Sequence, residues 1–195
     1  LIKKGSKEIL ISKDDLITPL AFDRIKREGL KIVNSITVEN YKEEFKKIII
    51  GSDHTGVKTK KIVYDYLKQK NYDILDVGTF TEDAVDYPDI AIQVAKRVKI
   101  GEFDCGIILD ATGIPSAITA NKFSGIRAAT CYNEFSARSS REHNNANILV
   151  LGAKSLGDES IKSIVDVWLT TKFLGERHQR RLDKIKLLEE KNFKE

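Results

Sequence analysis

The sequence predicts an α/β fold in which a five-stranded parallel sheet carries helices on both faces. Five short apolar runs, most of them rich in β-branched residues, recur from residue 47 onward, and amphipathic segments separate them. Continuous apolar runs are typical of strands buried on both faces, and their alternation with helices is typical of a parallel sheet. The predicted strands are 48–50, 74–77, 106–109, 126–129 and 148–151.

Apolar residues at helical spacing predict the helices between these strands. One helix lies within 57–67, a second is centred on 90–98 with Asp86 as its N-cap, and a third is centred on 161–169. The last stretch, 176–195, contains no Gly or Pro and is predicted to be helical. The sequence leaves open whether this terminal helix packs on its own domain or lies across a second subunit.

The first 46 residues form a Lys-rich leading segment without a repeating unit. A helix is predicted to begin at the Thr-Pro pair of Thr18 and to stop at Gly29, and Lys31–Val33 is predicted to be a short strand. Because so short a segment buries little core alone, we expect a small N-terminal appendage, residues 1–46, on one domain that spans 47–195.

Composition excludes several classes of protein. Lys and Arg total 33 against 29 Asp and Glu, and the charges are spread along the chain, which does not favour nucleic-acid binding. No apolar run approaches the roughly 18 residues that a membrane helix needs. Cys105 and Cys131 lie in apolar runs, as expected for reduced thiols of a cytosolic protein. Three scattered histidines and the lack of a Cys-x-x-Cys pair predict no metal site.

The residues that follow the first and third strands are candidate site residues, because ligands of such folds bind beyond the carboxyl ends of strands. Asp53 and His54 lie in a Gly-bounded turn that opens a helix, which suits a phosphate or sugar hydroxyl and equally a capped turn. The loop 110–116 offers the Asp110 carboxylate and several N–H groups, the parts needed for proton abstraction beside a carbonyl. Taken alone, the loop favours the simpler interpretation, in which Asp110 is a helix N-cap.

Two later segments carry further candidates. His143 lies among amides in a loop before the fifth strand, and an imidazole there transfers protons at neutral pH. We favour this functional interpretation over a solvated loop histidine. Arg177 and Arg181 are four residues apart on one helix face and would suit a phosphate, although their spacing alone favours a solvated basic face.

Taken in order, these segments resemble ribose-5-phosphate isomerase type B and the related galactose-6-phosphate isomerase subunits. The similarity extends over about 47–188 and rests on an ordered set of motifs, which is far more specific than any single one. The matching stretches are Ile50–Gly56, Asp76–Thr79, Asp86–Asp89, Thr112–Ile114, Ala120–Lys122, Gly125–Ala128, Ser139–Asn147 and Gly175–Arg181.

The resemblance implies a Rossmann-like three-layer fold and a homodimer or tetramer with sites at subunit interfaces. It also implies reversible aldose–ketose isomerisation of a sugar phosphate, by default ribose 5-phosphate, without a metal or organic cofactor. It assigns catalysis and substrate binding to eleven residues. Those implied in catalysis are Asp110, Thr112 and His143, and those implied in binding are Asp53, His54, Tyr87, Gly113, Asn121, Asn144, Arg177 and Arg181.

Within this set the resemblance also implies individual roles. Thr112 and the amides of the following loop would hold an enediolate, with Asn121 supporting that loop. His143 would assist opening of the sugar ring, and the two arginines would bind the phosphate.

Two residues depart from the pattern of these isomerases. Asp110 occupies the position of the usual cysteine base, and Pro115, which lacks an N–H, occupies a position that is usually Gly. Cys105 and Cys131 fall at other positions of the pattern. Three accounts therefore stay open: Asp110 is the base, the chain is one half of a heteromer with a cysteine-bearing relative, or the chain binds sugar phosphates without turnover. Retention of the other site residues favours the first two.

The leading segment lies outside the usual domain of these isomerases. With its Thr-Pro pair, this segment resembles the leaders of enzymes associated with bacterial microcompartments. A role in docking is therefore one hypothesis. We prefer a structural arm, in a protein of the cytosol.

Overall fold

The computed structural model describes residues 8–10, 24–33 and 45–192. The chain divides into two units, Leu1–Glu43 and Glu44–Glu195. In the first unit, strands β1 (Glu8–Leu10) and β2 (Lys31–Val33) pair in parallel. Residues 24–27 are helical and the turn ends at Gly29, which has φ +62°. This end and strand β2 lie where the sequence predicts them, whereas the predicted helix start at Thr18 lies outside the described residues.

The second unit contains the predicted five-stranded sheet. Its strands are β3 (Lys47–Ser52), β4 (Asp73–Asp76), β5 (Cys105–Asp110), β6 (Ala128–Thr130) and β7 (Ile148–Gly152). All pairings are parallel, in the order β4-β3-β5-β7-β6. Strand β6 begins two residues later than predicted, because the N–H of Arg127 donates to the side-chain oxygen of Asn147 (2.8 Å) instead of joining the ladder.

Six helices follow or connect these strands. They are α1 (Val57–Gln69), α2 (Tyr87–Lys99), α3 (Ile114–Ala120), α4 (Glu134–Asn144), α5 (Asp158–Thr170) and α6 (Glu176–Asn192). Asp86 occupies the N-cap position of α2 as predicted, although its side chain makes no cap hydrogen bond. Helices α1, α4 and α5 cover one face of the sheet, and α2 and α3 cover the other.

Alternate residues of each strand fill two separate cores. Ile107 and Leu109 pack with the fully buried Trp168 beneath α1, α4 and α5, whereas Ile108 packs with Val94 beneath α2. Full burial of one such side chain contributes about 1.5–3 kcal/mol. Helix α2 approaches the sheet closely because Gly106 has no side chain; a Cβ there would lie 2.5 Å from Val94.

In this topology the two ends of the parallel strands form two distinct edges of the sheet. The carboxyl edge is where strands end and the following helices begin; the amino edge is where helices end and the next strands begin. A five-residue strand separates the two by about 17 Å. Helix α6 lies along the amino edge, since the N–H of Leu174 donates to the carbonyl of Glu142 (3.0 Å) and Gly125 donates to Glu189 (2.9 Å). Within the described ranges, no helix is long and apolar enough to span a membrane.

Candidate active site

Asp53 and His54 open the carboxyl edge at the end of β3. The Asp53 N–H donates to the carbonyl of Leu109 (3.2 Å), which ties the turn to the neighbouring strand β5. Its buried carboxylate accepts from the N–H (2.9 Å) and hydroxyl (2.6 Å) of Thr55 and so caps a 3-10 turn. His54 accepts the N–H of Val85 at Nδ1 (3.3 Å), so the neutral ring carries its proton on Nε2. Tyr87, two residues further on, is 37% exposed.

Asp110 ends β5 beside this turn, and its carboxylate is held by the loop that follows. Oδ1 accepts the N–H groups of Thr112 (2.9 Å) and Gly113 (2.6 Å), and Oδ2 accepts that of Ser116 (3.1 Å). The side chain is 1% exposed. Asp110 therefore caps the loop before α3, and in this conformation those amides already have an acceptor. The simpler interpretation, in which Asp110 is the helix N-cap, is wrong, because Gly113 occupies that position three residues later.

Two further positions of this loop, 114 and 115, also offer no free N–H group. The N–H of Ile114 donates to the hydroxyl of Thr112 (3.3 Å), and Pro115 has none. The Thr112 carbonyl accepts the hydroxyl of Tyr132 (3.0 Å). An oxyanion that binds the N–H groups of Thr112, Gly113 or Ser116 would thus have to take them over from Asp110.

His143 lies at the other edge, in the last turn of α4. Its Nδ1 is 3.1 Å from the hydroxyl of Ser139, and Asn144 beside it is exposed. The ring stacks on His178 of α6, with centroids 4.4 Å apart and planes 12° from parallel. The end of α4 and the start of α6 therefore form one surface.

The first two turns of α6 present the arginine pair at this edge. Arg177 and Arg181 are both exposed. The Nε of Arg177 donates to Nε2 of His178 (3.2 Å). Burial, together with the positive charges of His143, Arg177 and Arg181, lowers the pKa of His178. Two guanidinium groups beside a stacked histidine pair make a surface suited to a phosphorylated ligand.

Asn121 ends α3 at the amino edge, with both ends of its side-chain amide engaged. Its Nδ2 donates to the carbonyl of Ala128 (2.9 Å), and its Oδ1 accepts the N–H of the same residue (2.8 Å). Asn121 thereby fixes the start of β6. The side-chain bonds of Asn121 thus reach Ala128 instead of the loop after Thr112, which Asn121 was expected to support. Its contact with substrate stays a prediction.

The eleven predicted residues form two groups. The carboxyl half-site comprises Asp53, His54, Tyr87, Asp110, Thr112 and Gly113, and the amino half-site comprises Asn121, His143, Asn144, Arg177 and Arg181. Of the predicted site residues, only the first group lies beyond the carboxyl ends of the strands. Helices α3 and α4 carry Asn121 and His143 back to the strand starts, so one chain does not bring the two groups together.

Comparison with known proteins identifies the family. The model of the Ribose/Galactose Isomerase family matches residues 48–185. This chain belongs to the ribose/galactose isomerase family.

Individual proteins similar to this chain carry names from the same family. Ribose-5-phosphate isomerase B of Escherichia coli is 42% identical over 146 residues, which are 75% of this chain and 98% of that protein. A Clostridium thermocellum ribose-5-phosphate isomerase B structure is 49% identical, with a TM-score of 0.74, and covers 75% of this chain and 99% of its own. The Mycoplasma genitalium enzyme with bound ribulose-5-phosphate is 41% identical, with a TM-score of 0.71, over 74% and 96% of the two chains.

Neither cysteine of this family member is among the eleven predicted site residues. Cys105 begins β5 and Cys131 follows β6; both are buried and unpaired. Burial raises the pKa of both thiols, which keeps them protonated at neutral pH. In the described part of the chain, no three His, Cys, Asp or Glu residues are grouped as a metal site.

Three further residues lie next to the half-sites in the structure and were not among the predicted site residues. His178 lies in the predicted phosphate motif but gave no signal beyond that. Lys154 follows β7, and its N–H donates to the carbonyl of Ala111 (3.0 Å), so the rule of inspecting strand ends finds it. Lys60, 2% exposed, pairs with Asp76 (2.6 Å) and was hidden by the prevalence of lysine on helix surfaces.

Proposed function

We propose that this protein catalyses the reversible aldose–ketose isomerisation of a phosphorylated sugar, with ribose 5-phosphate as the default substrate. Membership of the ribose/galactose isomerase family supports the reaction type. The names of the Escherichia coli and Listeria innocua relatives, and ribulose-5-phosphate bound to the Mycoplasma genitalium enzyme, support the substrate class.

The observation that carries the proposal is the division of the site residues between two edges of one sheet. The carboxyl half-site supplies a carboxylate and a loop of amides, and the amino half-site supplies an imidazole and two guanidinium groups. A phosphorylated sugar needs both sets at once. A symmetric dimer in which each carboxyl edge faces the amino edge of the partner would create two equivalent sites.

Exposed apolar side chains lie where such a dimer would need them. On α3, Ile114 and Ile118 are 52% and 58% exposed and lie four residues apart on one face. On α6, Leu187 and Leu188 are 58% and 56% exposed. We therefore propose a homodimer, with assembly into a tetramer as a further step.

In the assembled site, the arginine pair of one chain holds the phosphate and His143 moves the proton that opens the ring. The partner chain's carboxyl half-site then acts on the open sugar. Removal of a proton from the carbon next to the carbonyl makes an enediolate. Transfer of the hydroxyl proton between its two oxygens and return of a proton to the former carbonyl carbon complete the isomerisation.

Asp110 has a defined part in this scheme. When the substrate binds, its carbonyl oxygen, which later becomes the enediolate oxygen, takes over N–H donors from the loop, including those of Thr112 and Gly113. The carboxylate is thereby released to accept the substrate proton. One set of amides serves first the carboxylate and then the enediolate, so a small loop movement couples substrate binding to activation of the base.

The confinement of Asp110 also favours a second candidate function. A carboxylate that is 1% exposed and holds three backbone donors fits a structural cap in a chain whose partner supplies the base. In that case the chain is one subunit of a heteromer with a cysteine-bearing relative. Activity would then appear only in the mixture.

Solvent deuterium incorporation next to the carbonyl tests both candidates. Purified protein in D₂O is given a panel of aldose and ketose phosphates, and exchange is followed by NMR or mass spectrometry. Incorporation by the protein alone that disappears in Asp110→Asn supports a self-sufficient isomerase. Incorporation only after addition of a cysteine-bearing relative supports the heteromer. Binding without incorporation in either sample contradicts both.

We further propose that the protein works in the cytosol and that residues 1–46 are a structural arm. Buried, reduced cysteines support a reducing compartment. Removal of residues 1–43 should leave assembly and localisation unchanged; altered localisation would instead support a docking role.

A further inference from the structure

Arg141 holds the end of helix α4 directly beside His143. Its guanidinium Nη1 donates to the side-chain oxygen of Asn145 (2.9 Å) and to the carbonyl of Ala146 (2.6 Å). Asn145 ends the helix with φ +45°, a left-handed conformation that non-glycine residues rarely adopt. The arginine thus fixes the chain reversal that follows the predicted ring-opening histidine.

Two aromatic rings cover this guanidinium. Its central carbon lies 4.6 Å from the ring centre of Phe45 and 5.4 Å from that of Trp168. The two rings stack, with centroids 5.3 Å apart and planes 15° from parallel. Trp168 is itself fixed, because its Nε1 donates to the hydroxyl of Ser140 on α4 (3.1 Å). A cation close to an aromatic ring is attracted by the π electrons of the ring, most strongly where water is excluded.

The arginine is deeply enclosed under this cover. Arg141 is 8% exposed. Burial lowers the pKa of its guanidinium to about 10, which leaves the group charged at neutral pH. Among the described residues its Nε finds no hydrogen-bond partner. The two rings and the two hydrogen bonds of Nη1 are therefore the contacts that stabilise this buried charge. Phe45 is the more exposed of the two rings and precedes residue 48, where the match to the family begins.

We propose that Phe45 and Arg141 form a clamp that positions His143 for opening of the sugar ring. The clamp is a positioning device, since neither residue is assigned to touch substrate. The proposal rests on the proposed function for its chemical consequence. Its structural part, the placement of His143, stands independently of that function.

Truncation of Phe45 removes one face of the clamp. In Phe45→Ala water reaches the guanidinium, which then gains more by hydration than by its bonds to Asn145 and Ala146. The end of α4 loosens and the His143 ring leaves its stack on His178. Small displacements of a proton-transferring group reduce rates steeply.

The first test reads the position of His143 by NMR in the full-length protein. The chain has three histidines, so the His143 ring signals are assignable with single His→Gln variants. Stacking on His178 gives these signals a ring-current shift, which should shrink in Phe45→Ala and return in Phe45→Trp. Phe103→Ala is the matched control, since Phe103 is also half-buried but packs in the core on the opposite face of the sheet. Unchanged His143 signals in folded Phe45→Ala would overturn the proposal.

The second test separates ring opening from proton transfer. Ribulose 5-phosphate is an open chain, so exchange of its C1 protons with solvent deuterium does not require ring opening, whereas conversion of cyclic ribose 5-phosphate does. Phe45→Ala and Arg141→Lys should lower kcat/KM for ribose 5-phosphate about tenfold or more, with a much smaller change in exchange. Equal losses in both reactions would indicate a structural role only. If the wild type is inactive on every sugar, the proposed function fails, and the NMR test still decides the clamp.

Discussion

The imidazole rings of His143 and His178 stack face to face, with centroids 4.4 Å apart and planes 12° from parallel. This contact joins the end of α4 to the start of α6 and places the predicted ring-opening histidine next to the predicted phosphate-binding arginines. His178 accepts from Arg177 at Nε2, so its neutral form carries the proton on Nδ1, which is buried without a partner among the described residues. A charged His178 would face other positive groups.

The stability of the protein should therefore fall as the pH drops below about 6.5, the ordinary pKa of histidine. Burial and the neighbouring His143, Arg177 and Arg181 lower the pKa of folded His178, and Glu142 opposes this only in part. In the unfolded chain the imidazole of His178 therefore binds a proton more readily than in the folded chain. The stabilisation is complete above pH 6.5 and is lost as the pH falls toward the folded pKa.

The replacement His178→Phe keeps a stacking ring and removes the titration. Its melting temperature should depend less on pH between 7 and 5 than that of the wild type. His54→Gln, at the other edge, serves as the control and should retain the wild-type slope. An unchanged slope in His178→Phe would show that this group does not set the acid sensitivity.

Asp110→Asn should destabilise the fold as well as affect catalysis. The amide NH₂ would face N–H donors that now bond a carboxylate, and an unsatisfied buried group costs about 1–3 kcal/mol. Urea unfolding measures the loss, and Asp83→Asn, at an exposed position, should show almost none. A variant as stable as the wild type would mean that the carboxylate does not depend on these donors and needs no loop movement to act as a base.

Thiol reagents should not inhibit the native protein. Cys105 and Cys131 are buried, burial raises their thiol pKa, and neither belongs to a half-site. Iodoacetamide should modify both only after unfolding in urea, as mass spectrometry will show. Rapid inactivation of the protein alone would contradict the assignment of the base to Asp110.

The buried ion pair of Lys60 and Asp76 should be important for stability. Lys60 Nζ lies 2.6 Å from the Asp76 carboxylate and 2.9 Å from the carbonyl of Thr79. Lys60→Met leaves a mostly buried carboxylate without its partner and should cost about 3 kcal/mol. Lys61→Met breaks an exposed pair with Asp65 and should cost less than about 1 kcal/mol.

A double-mutant cycle completes this test. Replacing both partners, Lys60→Met with Asp76→Leu, should recover part of the loss, because no unpaired charge then remains. Strictly additive losses would show that the two side chains are not coupled.

Most of the fold could be predicted because local patterns determine it. The strands follow from apolar runs, the start of α2 from Asp86, and the end of the first helical turn from Gly29. Each of these signals depends only on residues that are close in sequence. The division of the site between two edges also follows from topology, since a crossover helix returns the chain to the strand starts. The rule that ligands bind beyond the carboxyl ends of strands does not find His143, which lies at the amino edge.

Other features depend on contacts between distant segments and had no local signal. The stacking of His178, the burial of Lys60 and the cover of Phe45 over Arg141 each join elements far apart in sequence. An N-cap role for Asp110 was one of two interpretations of its loop, and the structure instead gives the N-cap position to Gly113. Only the three N–H distances show that the carboxylate is held this way.

Complementation between two impaired variants tests the central claim, that each active site is built from the edges of two chains. His54→Ala impairs the carboxyl half-site, and Arg177→Ala with Arg181→Ala impairs the amino half-site. Mixed after unfolding and refolding, the two chains form heterodimers in which one site is fully wild type. Random pairing of equal amounts should restore about a quarter of wild-type isomerase activity. Activity no greater than the sum of the two separate variants would contradict a site shared between subunits.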